Sequence, residues 1–370
     1  MVEGRELLRS EVRAWLEAHP TPTGAELAER GLVAPHWPKP WGLGADAASQ
    51  LVVDEELRRA GVSRPLNPIG IGWAGPTLLA GGTTQQQERF LPGILSGSAF
   101  WCQLFSEPDA GSDLASLRTK AVRDGDEWVV TGQKIWTSYA HVATYGILLA
   151  RTDPVAEAHQ GISYFVCPMH LAGITIQPLI DMTGDHAFNE VFFDEVRIPA
   201  DHLVGDVNGG WRLAKVTLGN ERVSLSGEGA LWGRGPTAAD LVELAHGSAV
   251  TGLQRDALVR VWSEGKVLSL LRQRLVSAAI EGREPGPEAS VRKAMADDHG
   301  QHVMGLAKEL AGLSGMLTQS GPGGLSEQKG AEWHHGFLYA QALTIGGGTS
   351  AVQRNIIAER ALGLPKDAPA

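Results

Sequence analysis

The sequence predicts a multidomain α+β fold: an N-terminal α-helical domain, a middle β-barrel domain and a C-terminal domain built like a four-helix bundle. Two observations predict it. Apolar residues recur with the helical period at both ends of the chain, whereas the middle consists of short β-branched and aromatic runs separated by glycines. This order of helices, strands and helices places the domains at residues 1–97, 98–208 and 209–370.

The N-terminal domain is expected to contain several short helices. The first shows apolar residues at helical spacing and stops before Pro20, because proline cannot continue a helix. Further helices are expected over residues 48–60 and 74–80. Thr84 with Gln87 has the spacing of a capping box, which predicts that another helix begins there.

The middle domain is expected to be a small barrel or sandwich of antiparallel strands. Its β-like runs follow one another at intervals of roughly a dozen residues, with glycines between them. The predicted strands are Phe100 to Phe105, Trp128 to Thr131, Tyr145 to Arg151, Ile162 to Cys167, Ile174 to Leu179 and Glu190 to Ile198.

The C-terminal domain begins after a Gly-Gly pair and returns to the helical period. Two long helices are expected over residues 256–282 and 288–313, with glycine and proline ending the first. Glycine-rich loops follow at 315–324 and 346–348. We interpret the acidic pair at 297–298 as a solvated helix face.

Bulk composition disfavours a nucleic-acid-binding, a disulfide-linked or a membrane-spanning protein. A net charge of −10 without a basic run disfavours sequence-independent binding to nucleic acid. Cys102 and Cys167 lie in apolar runs, which is typical of buried reduced thiols. No apolar stretch is long enough to cross a membrane and no secretory signal pattern is visible, so we expect a cytoplasmic enzyme.

Two weaker motifs do not support a binding site. The glycines of residues 42–47 fit a dinucleotide fingerprint, but no strand precedes them, so a loop is the better interpretation. His334 and His335 are adjacent on a helix and therefore point in different directions, and no third ligand is near in sequence. We predict no metal site.

Two segments of the middle domain carry the residues that hold a flat, polar-edged molecule. The loop from Ser106 to Asp113 combines two hydroxyls, a glycine and acids at the exit of an apolar run. The segment from Lys134 to Ser138 places an indole beside two more hydroxyls. A single serine in such a loop would ordinarily stabilise a turn or cap a helix. Small hydroxyl donors together with a flat ring are what a protein needs to hold a planar cofactor.

These two segments resemble the flavin-binding motifs of the acyl-CoA dehydrogenase family. The similarity extends to residues 183–199, which look like the last barrel strand and the turn after it. It also extends to 210–211 and 220–223, which look like the first C-terminal helix, and to 347–364, so that it spans about residues 30–365. Asp109 stands where glycine is common in the family. The resemblance implies an FAD cofactor at these residues: Gln103, Phe105, Ser106, Gly111, Ser112, Trp136, Ser138 and Thr349.

The resemblance also implies α,β-dehydrogenation of an acyl-CoA thioester, with flavin N5 accepting the β-hydride. A base must remove the α-proton, and donors must stabilise the enolate-like oxygen. Many family members carry a glutamate where this chain has Gly347, which cannot take a proton. Other members carry it on the first C-terminal helix before an arginine, as Glu221 precedes Arg222 here. We therefore predict Glu221 as the base, and Ser112, Arg222 and Gly347 as substrate-binding residues.

The implied partners are an electron-transfer flavoprotein and further subunits, in a homomeric or heteromeric dimer or tetramer. The Arg-x-x-Phe-Gly segment that family homotetramers donate across an interface is absent around residues 233–237. Two alternatives remain open. The chain could be a non-catalytic or flavin-poor subunit of a heteromeric dehydrogenase, or an oxygen-using flavin oxidase or monooxygenase of the same fold.

Overall fold

The structure, a computed structural model, describes two compact units. The described residues are 2–224, 230–231, 235–246, 250–281, 286–312 and 327–366, without the side chains of 2–3, 221–224, 279 and 327–331. The first unit comprises Met1–Asp181 and Asp185–Asn220, and the second comprises Met182–Gly184 and Glu221–Ala370.

Helices open the first unit, and a further helix begins after its strands and ends within the second unit. The opening helices are α1 (Val2–Ala18), α2 (Gly24–Glu29), α3 (Ala47–Ala60), α4 (Gly75–Gly81, after a π-helical turn at Gly70–Ala74) and α5 (Thr84–Ser96), and the later one is α6 (Gly210–Ser224). The predicted helices at 48–60 and 74–80 are therefore present. The short α2 was not expected; its Thr23 cap and Glu26 form a capping box.

The capping box of α5 lies one residue earlier than predicted. Thr83, not Thr84, accepts a hydrogen bond from the Gln86 amide (3.2 Å), and the Gln86 side chain accepts one from the Thr83 amide (3.0 Å). Thr83 has the extended backbone that an N-cap requires (φ −67°, ψ 160°), whereas Thr84 is already helical. Gln86 also donates to the carbonyls of Asp201 and Leu203, both at 2.7 Å.

A buried carboxylate links α3 to α1. Glu56 is 1% exposed and accepts hydrogen bonds from three arginines, Arg9, Arg13 and Arg59. Arg13 makes two of these bonds, at 2.8 and 2.9 Å. The bonds from Arg13 outweigh the effect of burial and lower the pKa of Glu56 to about 2.

Glu56→Gln is expected to destabilise the protein in a pH-dependent way. Because folding lowers the pKa of Glu56 from 4.5 to about 2, the carboxylate contributes stability that is present above pH 4.5 and is lost as the pH falls toward 2. We expect the variant to lose on the order of 2 kcal/mol of unfolding free energy at pH 7. Denaturant unfolding at pH 7 and pH 3 should show this difference shrink; Glu55→Gln, with its half-exposed side chain, is the control. A difference independent of pH would contradict the assignment.

The strands of the first unit form one eight-stranded sheet. They are β1 (Trp101–Leu104), β2 (Lys120–Asp124), β3 (Glu127–Ser138), β4 (Tyr145–Arg151), β5 (Ile162–Pro168), β6 (Ile174–Leu179), β7 (Phe188–Pro199) and β8 (Leu203–Val204). Their order is β6-β7-β3-β2-β4-β5-β8, with β1 paired to β4. All six predicted strands are present, while β2 and β8 were not predicted.

Two pairings correct the expectation of a purely antiparallel sheet. Strand β1 is parallel to β4 over four residues, from Trp101 opposite Tyr145 onward, and β2 joins β4 in parallel through Lys120. The interior residues of β4 are buried without alternation, which is typical of strands in parallel pairings. The other pairings are antiparallel.

Strand β3 is much longer than the predicted run of 128–131, because Gly132 lets it continue through a bulge. Gly132 has φ +156°, and a Cβ there would lie 2.5 Å from Thr119 Oγ1. The register against β7 shifts at this point and again between Lys134 and Thr137. The continuation places residues 132–138 in the sheet.

The second unit is helical. Its helices are α7 (Ala238–Ala245), α8 (Gly252–Ile280), α9 (Glu288–Ala311), α10 (Glu327–Tyr339) and α11 (Ser350–Ile356). The two long helices lie close to the predicted ranges, and Leu241, Val261, Val303 and Trp333 pack in one core. The predicted loop at 315–324 lies outside the described residues.

The expectation of a solvated acidic face on α9 is wrong for Asp297. Asp297 is 1% exposed and accepts a hydrogen bond from Lys293, also 1% exposed, at 2.6 Å. Asp298 is exposed. Adjacent helical residues point about 100° apart, so only Asp297 shares a face with Lys293, four residues before it.

The described helices and side chains provide no membrane span or metal cluster. No described helix has both the length and the apolar character needed to cross a bilayer. Among the same residues, no three His, Cys, Asp or Glu side chains are grouped to hold a metal; His334 contacts Lys308 and His335 stacks on Tyr339. Cys102 and Cys167 are buried and free, as expected.

Candidate functional site

The structure brings the two predicted motifs together through one buried lysine. Lys134 Nζ donates to Glu107 Oε1 (2.8 Å) and to the carbonyl of Phe105 (2.9 Å). Next to it, the Ile135 amide donates to the Ser106 carbonyl at 2.9 Å. The start of the loop is therefore hydrogen-bonded to strand β3 immediately before Trp136.

Burial shifts the pKa values of Lys134 and Glu107. Lys134 is fully buried, and the loss of solvation lowers its pKa to about 8 although Glu107 opposes the shift. Burial also acts to raise the pKa of Glu107. Lys134 and the amides of Arg118 and Thr119 outweigh that effect, so the net pKa of Glu107 is lowered. Each charge is buried only because the other lies beside it.

Trp136 is presented at a strained position. Its side chain is 57% exposed and its backbone is left-handed, with φ +59°, inside the second register shift of β3. A bulky residue rarely adopts this conformation, and such strain concentrates at functional sites. The indole meets Phe188 edge-on, at 5.8 Å between ring centres. An exposed indole face next to the loop is thus fixed by the backbone rather than by core packing.

Three hydroxyls lie on the loop and on strand β3, at Ser106, Ser112 and Ser138. Ser106 and Ser138 are half-buried and Ser112 is exposed. Within the described part of the chain, none of the three hydroxyls has a hydrogen-bond partner. At Gly111 an added Cβ would meet no atom within 4 Å, so the loop is open there. Free donors and a flat ring are the chemistry that a flavin requires, and these residues fit the group.

The remaining predicted contacts of the middle domain lie on or just after β1. Gln103 is half-buried on the strand. Phe105 is 3% exposed, and its ring packs edge-on against Tyr164 at 6.1 Å. Its carbonyl is the acceptor for Lys134.

A polar recess of about 270 Å³ opens beside the loop. It is bounded by loop residues on one side and by strand β3 on the other. The lining residues are Glu107, Pro108, Asp109, Ser116, Arg118, Thr119, Gly132 and Gln133.

The C-terminal loop belongs to the second unit. Gly347 and Gly348 both have left-handed backbones, with φ +66° and +88°. Thr349 caps α11 by accepting from the Val352 amide at 3.2 Å. Gln353 is fully buried and donates to the carbonyls of Gly347 (3.1 Å) and Gly348 (3.2 Å).

The predicted base and its neighbour lie on α6. The helix extends to Ser224 and so includes Glu221 and Arg222. Their side chains lie outside the described residues, as do residues 232–234 of the segment that lacks the family's Arg-x-x-Phe-Gly pattern.

Sequence reasoning missed the two lysines that organise these loops. Lys134 pairs with Glu107 across 27 residues, and Lys293 reaches the carbonyls of Gly346 and Gly348. The neighbours of these lysines in the sequence gave little signal, since a polar residue, Gln133 or Arg292, precedes each of them. The partner's identity depends on tertiary contacts.

Comparison with known families covers most of the chain. The acyl-CoA dehydrogenase N-terminal domain matches residues 4–98, the middle domain matches 102–196 and the C-terminal domain matches 208–362.

Similar curated proteins come from Mycobacterium tuberculosis. Acyl-CoA dehydrogenase FadE34 is 46% identical over 92% of this chain, which spans only 46% of that protein's length. Acyl-CoA dehydrogenase IpdE1 is 40% identical over 97% of this chain and 89% of its own length.

Similar solved structures have the same fold. The Tcur3481-Tcur3483 steroid ACAD is 31% identical, with a TM-score of 0.79 over 99% of this chain and 98% of that one. The ChsE4-ChsE5 complex from Mycobacterium tuberculosis is 33% identical, with a TM-score of 0.79 over 98% of both chains.

Proposed function

The chain belongs to the acyl-CoA dehydrogenase family, and from that membership we propose that it binds FAD and catalyses α,β-dehydrogenation of an acyl-CoA thioester. One observation carries the proposal. The buried Lys134–Glu107 pair holds the loop after β1 against β3, so that Ser106, whose hydroxyl has no partner among the described residues, lies on the loop beside the segment that carries the exposed Trp136 indole. Strained backbone of this kind concentrates at functional sites, and a large exposed ring at such a position supports a binding role.

We propose that FAD binds at the loop after β1 and at the end of strand β3. Ser106, Gly111 and Ser112 offer donors and close backbone approach for the polar parts of the cofactor. Trp136 and Ser138 offer a ring face and a hydroxyl for the flavin ring, and the remaining proposed contacts are Gln103, Phe105 and Thr349. When bound, FAD supplies the hydride acceptor that no side chain can provide.

Glu221 is proposed to remove the α-proton. A carboxylate is a suitable general base, and Gly347 has no side chain to serve instead. The Gly347 amide is proposed to donate to the thioester oxygen, which gains negative charge as the proton leaves. Arg222 and Ser112 are proposed to contact the acyl-CoA.

The proposed substrate class rests on the name of one similar structure. One similar structure is named a steroid ACAD, so we propose that this chain accepts a bulky, steroid-derived acyl group. A panel of CoA thioesters tests this, with linear acyl chains of graded length against steroid-derived ones. If linear acyl-CoA thioesters reduced the bound flavin faster than steroid-derived ones, the proposed substrate class would be wrong, but the assignment as a dehydrogenase would stand.

Further subunits and an electron-transfer flavoprotein are the proposed partners. The outer side of α8 exposes Val259 (59%), Trp262 (46%) and Leu270 (59%), an apolar surface that water does not favour. Two similar structures are named as pairs of different chains. These observations support an oligomer, either homomeric or with a related second chain.

The visible spectrum of the purified full-length protein tests the function. We expect a flavin absorbance band that bleaches under anaerobic conditions on addition of acyl-CoA and returns with an electron-transfer flavoprotein. A colourless protein that takes up no FAD would contradict the proposal and favour a non-catalytic subunit. Rapid recovery of the band in air would instead indicate an oxygen-using enzyme.

Trp136→Gly is expected to separate FAD binding from stability. Glycine relieves the left-handed strain but makes the unfolded chain more flexible, and the two effects are each of order 1 kcal/mol. We therefore expect the free energy of unfolding to change by less than about 1 kcal/mol, against about 3–5 kcal/mol for loss of a core tryptophan. FAD affinity should fall by about three- to tenfold, as for the loss of one aromatic stacking contact.

Glu195→Gly is the matched control for this substitution. Glu195 also has a left-handed backbone, with φ +48°, and it is exposed on β7. Its replacement relieves the same strain without removing an indole, so FAD titration should give the wild-type affinity. Equal FAD affinity in Trp136→Gly and wild type would exclude Trp136 from the cofactor site.

A further inference from the structure

Lys293 lies at the centre of the second unit's C-terminal loop. Its side chain is 1% exposed, and Nζ donates to Asp297 Oδ2 at 2.6 Å. The same ammonium lies 2.8 Å from the Gly346 carbonyl and 2.9 Å from the Gly348 carbonyl, with the Leu343 carbonyl at 3.2 Å. One buried cation is therefore surrounded by a carboxylate and three backbone oxygens, which share its three protons.

Every carbonyl of the Gly346–Gly348 segment accepts a hydrogen bond from one of two buried side chains. Gln353, which is fully buried, donates to the oxygens of Gly347 and Gly348. Lys293 binds those of Gly346 and Gly348. Glycines with left-handed backbones are otherwise the most freely rotating residues of a chain, so these bonds decide which way the peptide planes face.

The fixed carbonyls also fix the amides. In a trans peptide the N–H points opposite to the C=O of the preceding residue. The Gly347 N–H therefore points away from Lys293, which binds the Gly346 carbonyl, and the Gly348 N–H points away from Gln353, which binds the Gly347 carbonyl. Within the described residues, neither amide has a hydrogen-bond acceptor. Two adjacent donors without a partner are suited to an oxygen that carries negative charge.

We propose that Lys293, held by Asp297, is a positioning residue that holds the Gly346 carbonyl and thereby aims the Gly347 amide at the thioester oxygen of the acyl substrate. The neighbouring Gly348 amide is oriented by Gln353 through the Gly347 carbonyl. The identity of that oxygen rests on the proposed function. The orientation of the Gly347 amide rests only on the contacts of Lys293. Lys293 itself contacts no substrate in this role; it acts through the backbone that it holds.

Kinetics of the holoenzyme test the role in turnover. In the double variant Lys293→Met, Asp297→Asn no buried charge is left alone, so the fold is expected to survive where Lys293→Met alone fails. We expect kcat to fall about 100-fold, as for loss of an oxyanion donor, while KM changes less than about threefold. Lys308→Met, on the same helix but in contact with His334 and Phe337, should keep the wild-type kcat. A double variant with wild-type kcat would overturn the proposal.

Hydrogen exchange tests the positioning without any turnover. The amides of Gly346 and Ser350 are bonded to the carbonyls of Ala342 and Thr344, and their exchange reports whether the loop keeps its shape. Because the free energy of local opening sets amide exchange, we expect exchange to speed up about tenfold in the double variant and to stay unchanged in Lys308→Met. Unchanged exchange in the double variant would overturn the positioning role. If wild type itself shows no turnover, the proposed function fails while the exchange result still decides the role of Lys293.

Discussion

Glu221→Gln is expected to lower kcat by about 10²–10⁴-fold, because a positioned general base contributes that much to a proton transfer. Glutamine has nearly the same shape and cannot accept the α-proton at neutral pH. The variant should therefore bind FAD as wild type does and show the same visible spectrum. Anaerobic mixing with an acyl-CoA that bleaches the wild-type flavin would give little or no bleaching on the same timescale.

Two controls make this result specific to position 221. Glu243→Gln changes an exposed glutamate on the next helix, α7, and should leave the bleaching rate unchanged. Glu221→Asp keeps the carboxylate on a shorter side chain and should retain part of the rate. Near-normal bleaching by Glu221→Gln would remove Glu221 as the base. Loss of FAD in that variant would instead show a structural role for the residue.

The general fold was predictable because it depends on local periodicity. Long amphipathic stretches predicted α8 and α9, and short β-branched runs predicted β4 and β6 to within a residue. The parallel pairings of β4 were not predictable in the same way. Register and direction depend on which strands meet in space, and no local pattern in this chain records that.

The motifs of the candidate site were also visible in the sequence, but the contacts that hold them were not. The spacing between the loop after β1 and Trp136 is a property of the sequence. The hydrogen bonds from Lys134 to Glu107 and from Lys293 to the Gly346 carbonyl join residues far apart in the sequence, so they depend on the tertiary structure. Asp297 illustrates the limit: an acid on a helix is exposed on average, and only the buried partner reverses that expectation.

Lys134→Met is expected to cause a large loss of stability. Glu107 is 8% exposed, and without Lys134 its carboxylate stays buried with no counter-charge. Breaking a buried ion pair from one side costs about 3–5 kcal/mol. Denaturant unfolding should show this loss, and the FAD content of the purified variant should fall because the loop and β3 are no longer joined.

A second substitution separates the two consequences of losing Lys134. In Lys134→Met, Glu107→Gln no charge is buried, and the glutamine oxygen can still accept from an amide of Arg118 or Thr119. We expect the double variant to regain at least about half of the lost unfolding free energy. Its FAD affinity should stay low, because the Phe105 carbonyl has still lost its donor. Recovery of both properties would mean that the ion pair serves stability alone, whereas recovery of neither would mean that Glu107 is not the residue left uncompensated.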